Sequence, residues 1–161
     1  ARAGARGART GYAYLHSAVD GHTRLAYTES LENEKATTAV AFLNRAREWF
    51  ASHGITRIER VITDNGACYR SAAFTAALDG ADHRRTRPYT PKHNGKVERY
   101  QRILAEECLY ARAYYSENER RDAIRVWVHH YDYHRPHTAC GDQPPATRVH
   151  TRVDNVMTSY I

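Results

Sequence analysis

One amphipathic helix between two apolar strands is the feature that most limits the fold of this chain. Residues 36–53 carry apolar side chains with a helical period, at Ala39, Leu43, Ala46 and Phe50. Gly54 is placed to end this helix as a C-cap. Strands are predicted before the helix, from Arg24 to Leu31, and after it, from Ile58 to Thr63. A strand, a helix and a strand of these lengths indicate a right-handed crossover between parallel strands, so the predicted fold class is α/β.

The rest of the chain extends this α/β order. A strand from Tyr12 to Val19 comes first and turns at Asp20 and Gly21. Ser71 is placed to cap a short helix that runs to Leu78. A helix is predicted to start near Gly95 or Lys96, after an extended Pro-rich segment from Arg84 to Lys92. Ser116 and Glu119 form a capping box that opens the last helix, whose inner stripe is predicted at Ala123, Trp127 and Tyr131.

Composition narrows the classes of function without choosing one. The 161 residues fit a single domain, and 24 Lys and Arg against 18 Asp and Glu give a net charge of +6, which favours polyanionic partners. Three cysteines without a CxxC pair argue against a disulfide framework and for a reducing compartment. The sequence contains no apolar stretch long enough to cross a membrane and no visible signal peptide.

Two acidic residues are the candidates for chemistry. Asp64 ends an apolar strand, at the sheet edge where ligands of parallel sheets bind, and Glu98 lies in the first turn of a helix. Carboxylates placed in this way can share hard divalent cations, which activate and stabilise oxygens during phosphodiester chemistry. Local alternatives remain open. Asp64 with Asn65 and Gly66 is also a turn-forming sequence, and Glu98 is spaced to pair with Arg102.

Four motifs carry a resemblance to a known family. They read Thr-Asp-Asn-Gly at 63–66, Arg-Pro-Tyr-Thr-Pro at 87–91, Asn-Gly-Lys-Val-Glu-Arg at 94–99 and Tyr-Asp-Tyr-His-Arg-Pro-His at 131–137. Together they resemble the integrase-type catalytic core of the DDE transposases of bacterial insertion sequences, which are related to retroviral integrases. The resemblance runs from about Tyr12 to Val149. It leaves residues 1–11 as a basic arm and 150–161 as a C-terminal tail. Asp132 stands where the family motif usually has Asn.

The resemblance implies a fold and an activity. The fold is an RNase H-like mixed sheet flanked by helices, here lacking its first strand. The activity is metal-dependent cleavage and transfer of DNA strands, with Asp64 and Glu98 holding Mg²⁺ or Mn²⁺. The implied partners are transposon ends, target DNA and further copies of the chain, in the cytoplasm of a bacterium at its nucleoid.

A basic segment surrounds the second acid. Lys92, Asn94, Lys96 and Arg99 are predicted to lie against the DNA backbone, because contacts to phosphates position DNA without reading its sequence. The alternative is a solvated cationic loop. His130 and His134 are spaced for zinc on one helix face, but nothing near them in the sequence completes a site.

The first acid of the family is missing from this sequence. Family members use three carboxylates, and the first would lie on a strand before Tyr12, where the chain has only Ala, Arg, Gly and Thr. Asp20 is predicted to be a turn residue at the opposite sheet edge, roughly 20 Å from Asp64. We therefore expect an incomplete or inactive fragment. The alternatives are a DNA-binding remnant without catalysis and a stand-alone RNase H-like nuclease.

Overall fold

The computed structural model describes residues 13–87, 94–149 and 157–160, which form one five-stranded sheet with helices on both faces. The strands are β1 (Tyr14–Asp20), β2 (Ala26–Leu31), β3 (Arg60–Thr63), β4 (Asp82–Arg85) and β5 (Met157–Tyr160). The helices are α1 (Ala36–Ser52), α2 (Ala72–Ala77), α3 (Gly95–Leu104) and α4 (Glu117–Tyr133). Short 3-10 turns lie at Ala67–Arg70, Thr138–Cys140 and Pro145–Arg148, and a π-helical turn at Ala105–Leu109 continues α3. No helix in the described ranges is long and apolar enough to cross a membrane.

The centre of the sheet is a strand from the end of the chain. The strand order is β2-β1-β5-β3-β4, with β5 antiparallel to β1 and parallel to β3. The sequence predicts a C-terminal tail at 150–161 and no first strand in the sheet. Met157–Tyr160 lies between β1 and β3 instead. The physical reason is that β1 and β3 would otherwise each present a row of unpaired backbone groups, and one extended segment satisfies both rows.

Strand alternation divides the core between the two faces of the sheet. Successive residues of a strand point to opposite faces. Ala18 and Leu25 pack under α1, whose buried residues are Ala39, Phe42, Leu43, Ala46 and Phe50. Val19 and Ala26 pack on the other face, against the buried residues of α3 and α4, which are Val97, Tyr100, Leu104, Ile124, Trp127 and Tyr131. The predicted crossover helix is confirmed, and Gly54 ends it with a positive φ of 90°.

Both predicted N-caps are present. Ser71 Oγ accepts a hydrogen bond from Phe74 N at 3.1 Å, and Ser116 Oγ accepts one from Glu119 N at 3.1 Å. The Glu119 carboxylate returns to Tyr115 N at 2.8 Å, one residue before the usual position of a capping box. The stripe of α4 needs a correction, because Ile124 is buried and Ala123 only half-buried.

The strand β4 was not predicted from the sequence, where extended structure was expected only from Arg84 onward. Its four residues, Asp82 to Arg85, are all charged or His, so they carry no apolar alternation. Parallel pairing with β3 forms the strand, and Arg60 Nε lies 3.1 Å from Asp82 Oδ2 across the ladder. Tertiary pairing here overrides the local pattern.

Candidate active site and basic cavity

Asp64 follows directly after β3, at the carboxyl end of that strand, and is half-buried. Its Oδ1 accepts a hydrogen bond from Gly66 N at 2.7 Å. A Cβ at position 66 would lie 2.9 Å from the same oxygen, so a side chain there would clash with Asp64. The turn interpretation is therefore confirmed. The other carboxylate oxygen, Oδ2, remains available to a ligand as far as the described residues are concerned, because none of them donates to it.

The same sheet edge carries a second acid that the sequence analysis missed. Burial raises the pKa of the Cys68 thiol, and the negative charges of Asp64 and Glu34 raise it further. Glu34 is exposed and stands just before α1. The topology could have indicated it, because β2 and β3 run in the same direction and residues after both strands meet at one edge.

Glu98 is exposed in the first turn of α3, where the positive end of the helix dipole favours a carboxylate. Its backbone N donates to Asn94 O at 3.1 Å. The helix packs over β1 and β5. Within residues 13–87 and 94–149, no hydrogen bond or ion pair joins Asp64 to α3, and no group of three or more His, Cys, Asp or Glu residues is arranged to hold a metal ion. The convergence of Asp64 and Glu98 stays a prediction.

Asp20 was predicted to be a turn residue; it is the last residue of β1, and its side chain holds the turn that follows. Its Oδ2 accepts hydrogen bonds from Thr23 N at 2.8 Å and from Thr23 Oγ1 at 2.6 Å. Asp20 pairs with Thr158 of β5, and Thr158 pairs with Val61 of β3. Asp20 therefore lies toward the amino end of β3 and away from Asp64. Two strand spacings and three residues along the strand separate the two aspartates by roughly 14 Å, less than the 20 Å expected. The side chain is also completely buried, which its position in a turn did not indicate.

The predicted DNA-contacting residues have different surroundings. Lys92 lies outside the described residues. Asn94 is buried, and no residue in the described ranges forms a hydrogen bond with its Oδ1. Lys96 Nζ donates to Gly21 O at 2.8 Å, beside the turn between β1 and β2. Burial lowers the pKa of Lys96, and the charge of Arg24 lowers it further. Arg99 is exposed, so Lys96 and Arg99 remain the described candidates for a phosphate contact.

Lys96 and Arg99 lie beside two residues, Arg24 and His137, that were not predicted from the sequence to belong to a binding site. Lys96 and Arg99 line a cavity of about 210 Å³ together with Arg24 and His137. Burial lowers the pKa of His137, and the charges of Arg24 and Arg99 lower it further. By contrast, the His130 and His134 rings lie 6.4 Å apart near the end of α4, and no third metal ligand joins them in the described part of the chain.

Comparison with known proteins gives consistent matches to one kind of domain. Two models of the integrase core domain match residues 4–91 and 79–145. The "Insertion element IS476 uncharacterized 39.2 kDa protein" of Xanthomonas euvesicatoria is 38% identical over 88 residues, which are 53% of this chain and 25% of that protein. The chain therefore spans about a quarter of the length of this relative.

Solved structures share the fold. A simian T-cell lymphotropic virus intasome chain has a TM-score of 0.70 and 24% identity, covering 91% of this chain and 51% of that one. The HTLV-2 integrase catalytic core in complex with magnesium has a TM-score of 0.61 and 16% identity, covering 86% of this chain and 84% of that one. The BIV integrase core has a TM-score of 0.62 and 17% identity over 84% of each chain. The predicted RNase H-like α/β fold is confirmed.

Proposed function

Because the chain belongs to the integrase core domain family, we propose that it is the core of an insertion-element transposase that acts on the DNA of a bacterial cell. In this proposal Asp64 and Glu98 hold Mg²⁺ or Mn²⁺, and the complete enzyme cleaves DNA strands and joins them. The observation that carries the proposal is the position of Asp64 at the carboxyl end of β3, where Gly66 N holds Oδ1 and no described residue donates to Oδ2.

The residues fit a hard divalent cation. Asp64 and Glu98 offer carboxylate oxygens, and Mg²⁺ commonly takes one or two of these while water and substrate phosphate complete its coordination. When bound, such a cation supplies charge stabilisation to the oxygens of a phosphodiester. The HTLV-2 core, solved with magnesium, supports this choice of metal for a protein of the same fold. The protein's own contribution is to orient Asp64 through the Gly66 hydrogen bond.

One observation favours the rival function, DNA binding without catalysis. The central strand β5 is Met-Thr-Ser-Tyr and contains no acidic residue. A site with two carboxylates is one short of the family's three. We therefore propose that the 161-residue chain by itself has little nuclease or strand-transfer activity, although it keeps the surfaces that bind DNA. Nicking of a supercoiled plasmid by this chain with Mg²⁺, abolished by Glu98→Gln, would contradict this statement.

Metal binding tests the site without requiring turnover. Titration with Mn²⁺, followed by the loss of the free-ion EPR signal, should show binding by the native chain and weaker binding by Asp64→Asn and Glu98→Gln. Asp79→Asn is the matched control, because Asp79 is exposed in a turn with a φ of 50°, which Asn tolerates. Equal Mn²⁺ binding by all four proteins would remove Asp64 and Glu98 from the site.

DNA binding tests the rest of the proposal. We expect weak binding of duplex DNA with little sequence preference, falling steeply with salt. Replacing Lys92, Lys96 and Arg99 together with Ala should lower the affinity for unrelated duplexes equally. It should also reduce the slope of log affinity against log salt by about three, close to one per contact. An unchanged slope would place the DNA-binding face elsewhere.

Self-association is part of the same proposal. The edge strand β2 borders a groove of about 550 Å³ between α1 and α4, which Trp49 and Tyr133 help to line. The lining mixes aromatic and aliphatic side chains with charged ones such as Arg121 and Arg125, and a second copy of the chain would cover this surface. Analytical ultracentrifugation of the native chain and of Tyr133→Glu would test it, because a charge in the groove should shift the equilibrium toward monomer.

A further inference from the structure

We infer that the cavity between the β1–β2 turn, the start of α3 and the 137–139 segment is a binding site for a phosphate oxyanion. It is lined by Arg24, Lys96, Arg99 and His137 and has a volume of about 210 Å³. The β1–β2 turn that forms one wall lies at the opposite sheet edge from Asp64, and Glu98 lies between Lys96 and Arg99 on α3 without lining the cavity. Its assignment to a phosphate of the DNA backbone rests on the function proposed above. The inference that the cavity binds a phosphate oxyanion does not depend on that function.

Positive charge in the cavity lacks compensation. In the described part of the chain, Arg24, Lys96 and Arg99 form no ion pair with an acidic residue. The Arg24 Nε is buried and finds no hydrogen-bond partner among the described residues. The charge of Asp20 acts on Arg24 and Lys96. Asp20 Oδ2 accepts from Thr23, and its buried Oδ1 has no hydrogen-bond partner among the described residues. Three cations against the carboxylates of Asp20 and Glu98 leave a net positive charge, and a buried donor without a partner requires an acceptor.

His137 adds a neutral donor. It is only 9% exposed, and its Nδ1 accepts a hydrogen bond from Ala139 N at 3.1 Å. Because Nδ1 is an acceptor, the neutral ring carries its proton on Nε2 and has a donor to offer there. Burial and the charges of Arg24 and Arg99 lower the pKa of His137, which favours this neutral form.

The start of α3 supplies backbone donors. Glu98 N is bonded to Asn94 O, so the N–H groups of Gly95, Lys96 and Val97 precede the first bond of the helix. Asn94 makes no side-chain cap to them. Gly95 and Lys96 line the cavity, and an added Cβ at Gly95 would meet nothing within 4 Å. Open backbone donors and the helix dipole favour an anion at this position.

The segments that form the cavity are held in place by contacts of their own. Thr23 O accepts from Cys140 Sγ at 3.6 Å, which ties the turn to the 137–140 segment. Arg24 itself adopts a left-handed backbone with a φ of 68°, a conformation that is unfavourable for Arg and is kept where the surrounding structure enforces it. The donors therefore converge before any ligand arrives.

Two arms test the inference. In the first, isotope-labelled protein is titrated with inorganic phosphate, and with chloride at equal ionic strength. Phosphate should cause saturable NMR shifts at Arg24 Nε and in the His137 ring, and chloride should not. Ala139→Glu, which places a carboxylate at the exposed lining residue without removing a donor, should abolish the shifts. Absence of saturable shifts in the native protein overturns the inference.

The second arm distinguishes the source of the phosphate. Arg24→Asn suits the left-handed backbone, and Arg57→Asn is the control because the Arg57 side chain is 83% exposed and does not line the cavity. Arg24→Asn should reduce the salt slope of duplex binding by about 0.9, and the control should leave it unchanged. Phosphate shifts with an unchanged slope assign the site to a small phosphate compound and overturn the DNA assignment. If the native chain binds no DNA, the proposed function fails, and the phosphate arm alone decides the site.

Discussion

Asp132 offers the sharpest test of how this fold is held together. Its side chain is 1% exposed near the end of α4, and Oδ1 accepts a hydrogen bond from Ala26 N at 2.8 Å, at the first residue of edge strand β2. Burial raises the pKa of this carboxyl well above its usual range, and the single backbone hydrogen bond only partly offsets the effect. Asp132→Asn keeps an acceptor for Ala26 N and removes the charge.

The sign of the effect follows from proton linkage. Because the folded state binds the Asp132 proton more tightly than the unfolded state, its contribution to stability is complete below the ordinary pKa of about 4. That contribution is lost as the pH rises toward the raised value. Each pH unit in this window removes about 1.4 kcal/mol from the free energy of unfolding of the native chain. Asn does not titrate, so the advantage of the variant should grow with the same slope.

Urea unfolding measured at several pH values between about 4 and 8 tests this slope. Trp49 and Trp127 report the transition by fluorescence. The free energy of unfolding of Asp132→Asn should match that of the native chain at the acid end and exceed it increasingly toward neutral pH. Each 1 kcal/mol corresponds to about 2–4 °C in Tm for a domain of this size.

Asp122→Asn on the same helix is the control. The Asp122 side chain is 72% exposed and lies 3.6 Å from Arg125, so its replacement should change stability by only a few tenths of a kcal/mol at any pH. A stability difference for Asp132→Asn that stays constant across the pH range would refute the reasoning, because the buried carboxyl would then not be taking up a proton on folding.

Three further expectations concern the scaffold. Tyr100→Phe removes the hydroxyl that lies 2.6 Å from Thr28 Oγ1 and should cost about 1 kcal/mol, measured by urea unfolding, and no loss would mean that the contact is neutral. Gly54→Ala combines a φ of 90° with a Cβ 3.2 Å from Val149 Cγ1 and should lower stability by about 1–2 kcal/mol, so an unchanged Tm would contradict the αL requirement. Deleting 157–161 leaves β1 and β3 unpaired on one side and should lower Tm and promote aggregation on size exclusion; a monomer of native Tm would show that β5 is dispensable.

The sequence by itself determined the elements whose signals are local. The helical period of residues 36–53 with Gly54 after it defined α1, and Ser71 and Ser116 marked the starts of α2 and α4 through caps that span only three residues. The strand before Asp64 and the turn after Val19 were equally readable. Because the topology follows from a right-handed crossover, the placement of Asp20 away from Asp64 also followed from sequence.

Only the tertiary structure decided the features that depend on distant partners. Met157–Tyr160 becomes the central strand because backbone groups of β1 and β3 need partners on both sides, a demand that no local pattern records. The strand Asp82–Arg85 exists for the same reason. Arg24 and His137 meet Lys96 at one cavity because strand pairing and helix packing bring distant segments together, and the chemistry of that cavity is a property of the fold.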